Sequence, residues 1–399
     1  MSIDKSKRQE IIMQPLCTIS KRAFLLVILT CFSGNHLFAF EANLKIGVVR
    51  PKSGIAANLG EQLFSGIRTA LYLHQSEENK LKNLVSLVEI DDQGKLSQAD
   101  VATKNLLGKY RTHIVIGSIS DTLNHSIAEA ASEKNKISIL PMATSDKWLA
   151  KHKYAYSTSL SEIGQARQSV KFISKNLSKG SVVVLHETSH PSASTFTETF
   201  TEVAKKVGLK VLQPVVFDLS PKSKAEALRQ IEQVKPSIIV LPGHYSAVTD
   251  IIEKLDEKIK ATFLASQGFD HPEIETKLKP LNNPLYFLSL YHKKCLAESC
   301  IQFLDAYKTL YPHREPDVLA FLGYSAMDTV VSTFLAANSN RTTALERQLQ
   351  NANQIQSLLG PFRVSSSGVI VRQSQIFKLL NGNISYFGTS DGPYNPKKP

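Results

Sequence analysis

The sequence has few of the residues that most often announce a chemistry. In 399 residues there are four cysteines, four methionines and one tryptophan. Cys17 and Cys31 fall within the first forty residues, which leaves Cys295 and Cys300 for the rest of the chain. The stretch CLAESC that holds them suggests one local disulfide. Zinc spacing would need a second ligand pair, and none is evident. The G-x-S-x-G elbow, the phosphate-binding loop and the dinucleotide glycine fingerprint are all missing, which removes the commonest hydrolase and nucleotide-enzyme signatures. The formal net charge is +12, yet no arginine-rich run is interleaved with aromatics. The charges are scattered, mostly lysines on the apparent solvent faces of helices, which argues for solubility and weak attraction to an anionic envelope surface over nucleic-acid binding.

The apolar run in SKRAFLLVILTCF is also short. It follows Lys21 and Arg22 and spans roughly ten residues, about half of what a membrane-spanning helix needs. A basic start, a short apolar core and small residues at its end describe a secretory signal peptide. Residues 1–39 are therefore expected to be a signal with an N-terminal extension, cleaved after Ala39. Met13 is a candidate start, and lipid attachment at Cys31 is the weaker alternative, because ILTC carries Thr where lipoprotein signals have a smaller residue. Removing that segment takes away five basic and two acidic residues and lowers +12 to +9.

What the chain does have is rhythm. NLKIGVV, VSLVEI, THIVIGS and ISILPM read as buried strands. Between them, Leu63, Ile67, Ala70 and Leu71 share one helical face, SQADVATKNLLGKY reads as a helix capped by Ser97, and DTLNHSIAEAASEKN follows as another. The pattern restarts with a stripe of Ala166, Val170 and Ile173. It continues through SVVVL, SASTFTETFTEVAKKVG, KVLQPVVF, KAEALRQIEQVK, SIIVLPG, YSAVTDIIEKLDEK and ATFLAS. Two further helices, IQFLDAYKTLY and DVLAFLGYSAMDTVVSTFLAA, precede late strands in GPFRVSSSGVI and QIFKLLNGNISYF. Repeated strand–helix alternation implies an α/β fold with parallel sheets flanked by helices. In such sheets ligands bind beyond the carboxyl ends of the strands. Gly117 to Thr122, in IGSISDT, is such an end: free backbone amides gather there with the hydroxyls of Ser118, Ser120 and Thr122. The same features also fit simple capping of the next helix by Asp121 or Thr122.

The order and spacing of PKSG, EIDDQGK and IGSISDTLNHSIAEAASEKNKISILPMAT resemble the periplasmic leucine/isoleucine/valine-binding protein family, the type I solute-binding proteins of ABC transporters. The likeness runs from about Asn43 to Phe387. It implies a two-lobed periplasmic-binding-protein-like I fold with three interlobe crossovers, one lobe at 43–158 plus 290–365 and the other at 159–289 plus 366–390. It also implies a monomer that traps a small-molecule ligand by hinge closure and delivers it to ABC permease subunits in the inner membrane, with no cofactor and no catalysis. Transferred position by position, the ligand contacts are Ser53, Ser120, Asp121, Thr122, Met142, Ala143, Thr144, Tyr245 and Gln267. In amino-acid binders the hydroxyl-rich turn and the Ala-Thr loop hold the ligand carboxylate, and an acidic residue at the position of Gln267 holds its ammonium. A second-lobe aromatic is replaced by Pro191. Two departures carry weight. An ionised Asp121 facing the ligand would repel a carboxylate, and Gln267 offers no opposite charge to an ammonium. Either the ligand is an amino-acid relative, an amide or an amine held differently, or Asp121 points away as a cap and backbone amides still hold a carboxylate. The same clamp could instead serve as a sensor or interaction module without a permease.

HETSH, from His186 to His190, fits the H-E-x-x-H pattern of zinc hydrolases. That chemistry needs both histidines on one helical face. SVVVL runs straight into His186, and Pro191 disfavours helical geometry at His190, so the motif is refused. Trp148 follows the Ala-Thr loop and reads as a packed anchor beside the cleft.

Overall fold

The parallel sheets expected from the alternation are present in a computed structural model that describes residues 43–78, 81–178, 180–189, 191–271, 273–278, 281–351 and 355–394. The expected signal peptide, its cleavage after Ala39, Cys31 and His190 lie outside the described residues. The first sheet consists of β1 (Leu44–Arg50), β2 (Val85–Asp91), β3 (Ile114–Ile116), β4 (Ile137–Leu140) and β5 (Ala155–Ser157), all parallel, in the order β2-β1-β3-β4-β5. Interleaved with them are α1 (Ala57–Glu77), α2 (Leu81–Leu84), α3 (Leu96–Gly108), α4 (Asp121–Glu133) and α5 (Asp146–Leu149). All of β3 and β4 is buried, as expected of strands covered on both faces. Ser97 is not a cap: Lys95 holds the N-cap position of α3 and makes no side-chain bond there.

The chain then builds a second sheet. Its elements are α6 (Glu162–Asn176), β6 (Ser181–Glu187), α7 (Pro191–Lys206), β7 (Lys210–Val211), β8 (Val215–Phe217), α8 (Pro221–Val234), β9 (Ile238–Leu241), α9 (Thr249–Lys258), β10 (Thr262–Ala265), α10 (Ile274–Lys277) and β11 (Leu285–Ser289). KVLQPVVF, expected as one strand, is two. β7 pairs with the start of β6 and β8 with its end, and Pro214 between them has no N–H for a ladder.

The chain returns to the first lobe through α11 (Glu298–Leu310), α12 (Val318–Ala337), α13 (Thr342–Asn351) and the hairpin β12 (Arg363–Val364) and β13 (Ile370–Val371). It finishes on the second sheet with antiparallel β14 (Gln375–Leu380), β15 (Asn383–Thr389) and β16 (Gly392–Pro393). The order there is β16-β15-β14-β11-β10-β9-β6-β7, with β8 beside β6. Two α/β lobes thus share the chain, which passes between them three times. The β12–β13 hairpin runs past residue 365, the expected end of the first lobe's second segment. Ser157 N donates to Gly368 O at 2.9 Å, and Val369 packs into the first lobe's core.

The long apolar α12 is buried along most of its length. It approaches α1 backbone to backbone. A Cβ on Gly66 would lie 1.6 Å from Ala320 O, and one on Gly323 would lie 1.9 Å from Leu63 O. Asp328, in the middle of α12 and fully buried, lies 3.1 Å from His74 Nε2 and accepts from Arg372 Nη2 at 3.2 Å and Leu358 N at 3.0 Å. Burial alone would raise the Asp328 carboxyl, but the His74 hydrogen bond and the Arg372 charge outweigh it and hold it below the usual range. Arg372 begins the last crossing between lobes, so this buried cluster fixes that crossing to α1 and α12. Cys295 and Cys300 form the expected disulfide, with Cα atoms 6.1 Å apart.

Candidate binding site

The strand-end turn GSISDT is set by its own residues. Asn124, fully buried on α4, accepts from Ser118 N at 2.8 Å and donates to Ser118 O at 3.1 Å. A Cβ at Gly117 would lie 2.0 Å from Asn124 Oδ1, so only glycine lets the side chain reach the turn. Ser120 is the N-cap of α4: its Oγ accepts from Leu123 N at 3.3 Å. Capping therefore belongs to Ser120 and not to Asp121 or Thr122.

This turn faces a cavity of about 440 Å³, the size of a small-molecule site. The first lobe contributes Ile119, Ser120 and Asp121 after β3, Met142 and Thr144 after β4, and Val318 and Leu322 from α12. The second lobe contributes Glu162, Gln165, Phe196 and the loops after β9 and β10, with Ser159 from the first crossing. Five of the nine expected ligand contacts meet here: Ser120, Asp121, Met142, Thr144 and Gln267. The other four do not line it. Ser53 is exposed and its Oγ donates to Asp91 Oδ2 at 2.6 Å. Thr122 is exposed on the outer side of α4 and Ala143 is buried beneath the loop. Tyr245 is buried in a short helical turn, Tyr245–Ala247, where its hydroxyl donates to Glu273 Oε2 at 2.8 Å and its ring stacks on His271 at 4.8 Å. Its neighbour His244 and the supported His271 reach the cavity instead.

Asp121 neither points away nor stands bare. Its Oδ1 accepts from Thr144 N at 2.9 Å and its Oδ2 from Trp148 Nε1 at 3.0 Å. The amide of the Ala-Thr loop, expected to hold a ligand carboxylate, is already occupied by a carboxylate of the protein. Trp148 is the anchor expected of it, through this bond.

The cavity holds two more carboxyls, Glu162 and Asp270, neither among the expected contacts. Glu162 is 5% exposed and its N–H donates to Thr144 O at 3.1 Å. Burial, then the nearby charges of Asp121 and Asp146, push its carboxyl up to about 7, against the hydroxyls of Thr195 and Thr144. Asp270 is likewise pushed up to about 7 by burial, against a hydrogen bond from Ser289 Oγ. It keeps part of its surface open, as a cavity wall must. Among the described lining residues there is neither lysine nor arginine. Signals for both were available. Glu162 is one helical turn before Ala166 on the buried stripe, where an acid is out of place. Asp270 lies three residues beyond Gln267, where an acid had been sought and not found. Gln267 serves the frame: its N–H donates to Gln165 Oε1 at 2.9 Å. Gly268 lets its loop lie against the neighbouring one, since a Cβ there would be 2.0 Å from Gly243 O.

His186 is the penultimate residue of β6, at a strand end as expected, with Nε2 3.4 Å from Ser194 Oγ, and Glu187 accepts from Ser189 N at 2.6 Å. Those local bonds engage His186 and Glu187, the two motif residues among the described ones.

Residues 43–383 match the family described as "Periplasmic binding protein". A Leu/Ile/Val-binding protein homolog 2 of Brucella abortus is 20% identical over 342 residues, covering 82% of this chain and 87% of the relative. Among solved structures, the leucine-binding protein LivK of Thermotoga maritima superposes with a TM-score of 0.68 at 21% identity, over 89% of this chain and 99% of that one. A solute-binding protein of an ABC transporter from R. palustris, solved with benzoate, gives 0.64 at 20% identity over 89% and 98%. The shared fold therefore accompanies more than one kind of ligand.

Proposed function

Because the chain belongs to the periplasmic binding protein family, we propose that it is an extracytoplasmic solute-binding protein of an ABC importer, exported by its N-terminal segment, and that its solute is a small amphipathic amine or amide and not an anion. The lobes close about the hinge formed by the three crossings, and a ligand touching both walls favours the closed state. The family supports the binding role. The observation that supports the solute class is the wall itself: Asp121, Glu162 and Asp270 line one cavity without a lysine or arginine. An uncompensated buried carboxylate is costly, and burial pushes the Glu162 and Asp270 carboxyls up to about 7. A ligand cation supplies the missing charge, while Ile119, Met142, Phe196, Val318 and Leu322 offer an apolar body its surface.

Thermal-shift screening of amines, amides, amino acids and small carboxylic acids tests this. A ligand at a hundred times its dissociation constant stabilises by about 2.7 kcal/mol. Amines or amides should shift the transition and carboxylic acids should not. Stabilisation by acids alone would refute the solute class and leave the binding role standing.

A further inference from the structure

A second cluster of ligating side chains lies outside the cavity. His125 and Glu129 stand four residues apart on α4, one turn on the same face, with His125 Nε2 3.6 Å from Glu129 Oε1. His152 reaches them from the turn after α5, its ring centroid 5.5 Å from that of His125. One ligand atom from each of the three lies within 4.8 Å of the others. None of the three lines the solute cavity.

We propose that His125, Glu129 and His152 form a surface site for one divalent transition-metal ion of the zinc, nickel or copper(II) class. Two imidazoles and one carboxylate are the donor set such ions take, with water completing the shell. Calcium and magnesium prefer all-oxygen sites. Ligands about 2.1 Å from a zinc ion stand roughly 3.4 Å apart, so modest side-chain rotation closes the set, and partial exposure leaves room for it. The ion would join α4 to the α5 turn, with Trp148 beside both histidines at 4.8 and 6.0 Å.

Trp148 is the sole tryptophan, so the site carries its own reporter. Purified full chain without an oligohistidine tag is titrated with zinc by calorimetry and with copper(II) by fluorescence. One zinc ion per chain should bind at micromolar concentration or tighter, and copper(II) should quench the Trp148 emission with the same stoichiometry. His125→Ala and His152→Ala should each weaken zinc at least tenfold, with circular dichroism unchanged. His186→Ala, in the HETSH segment, should leave binding as it was. No binding at a hundred micromolar zinc, or binding that survives both His125→Ala and His152→Ala, overturns the proposal.

Discussion

The two walls of the cavity treat acidic side chains in opposite ways. On the first-lobe wall, Asp121 is satisfied by the protein, with an amide on one oxygen and an indole N–H on the other. Glu162 and Asp270, which the second lobe contributes, are held in surroundings that push both carboxyls up to about 7. A carboxylate whose bonds are complete belongs to the architecture. One whose charge is uncompensated is available to a guest.

The largest effect separating the walls should appear in ligand affinity. Glu162→Gln and Asp270→Asn should each weaken an amine by about 2–5 kcal/mol, as truncating one member of a buried charge pair does. Calorimetry with a ligand from the screen measures it. Asp121→Ala should act on stability instead. It leaves the Thr144 amide and Trp148 indole without acceptors and should cost about 1–3 kcal/mol in denaturant unfolding.

The pH response sharpens the contrast further. The Glu162 and Asp270 pKa values are raised on folding, so stability of the empty protein should fall as pH rises from about 4.5, where the unfolded chain ionises first, and level off above about 7. Glu162→Gln should flatten part of that slope and stabilise the empty protein at neutral pH, read from thermal unfolding at a series of pH values. A bound cation favours the ionised carboxyls, so affinity for an amine should increase severalfold between about pH 6 and 8. An anionic ligand would show the opposite trend. The smallest effect belongs to Thr144→Ala. Its amide is retained and only a hydroxyl near Glu162 is lost, so binding should weaken by about 1 kcal/mol or less.

Much of the fold could be read from apolar periodicity, because a strand covered on both faces must be apolar throughout and IVIG or IIVL leaves no other reading. The strand-end turn at Gly117–Thr122 was legible for the same reason. Side-chain direction was not. Tyr245 follows β9 at a position where a ligand aromatic was expected, yet Glu273, twenty-eight residues away, accepts from its hydroxyl and holds it in the second lobe. Ser53 is drawn to Asp91 on the neighbouring strand in a similar way. Nor could the sequence reveal that Asp121 fills the amide it was expected to leave free, since that bond joins the start of α4 to a loop residue twenty-three positions on. Glu162 and Asp270 were visible as acids but acquired meaning only when packing removed their water.

One residue of α12 has a bearing on the proposed export. The twenty residues Val318–Ala337 are long and apolar enough to lodge in a bilayer. If the chain is exported unfolded, as the proposed N-terminal signal implies, Asp328 crosses with neither His74 nor Arg372 beside it. Near the centre of a lipid-embedded helix, an aspartate opposes insertion by about 2.5–3.5 kcal/mol. Under the proposed export, the carboxylate that secures the last crossing in the folded molecule would also oppose lodging of this segment in lipid.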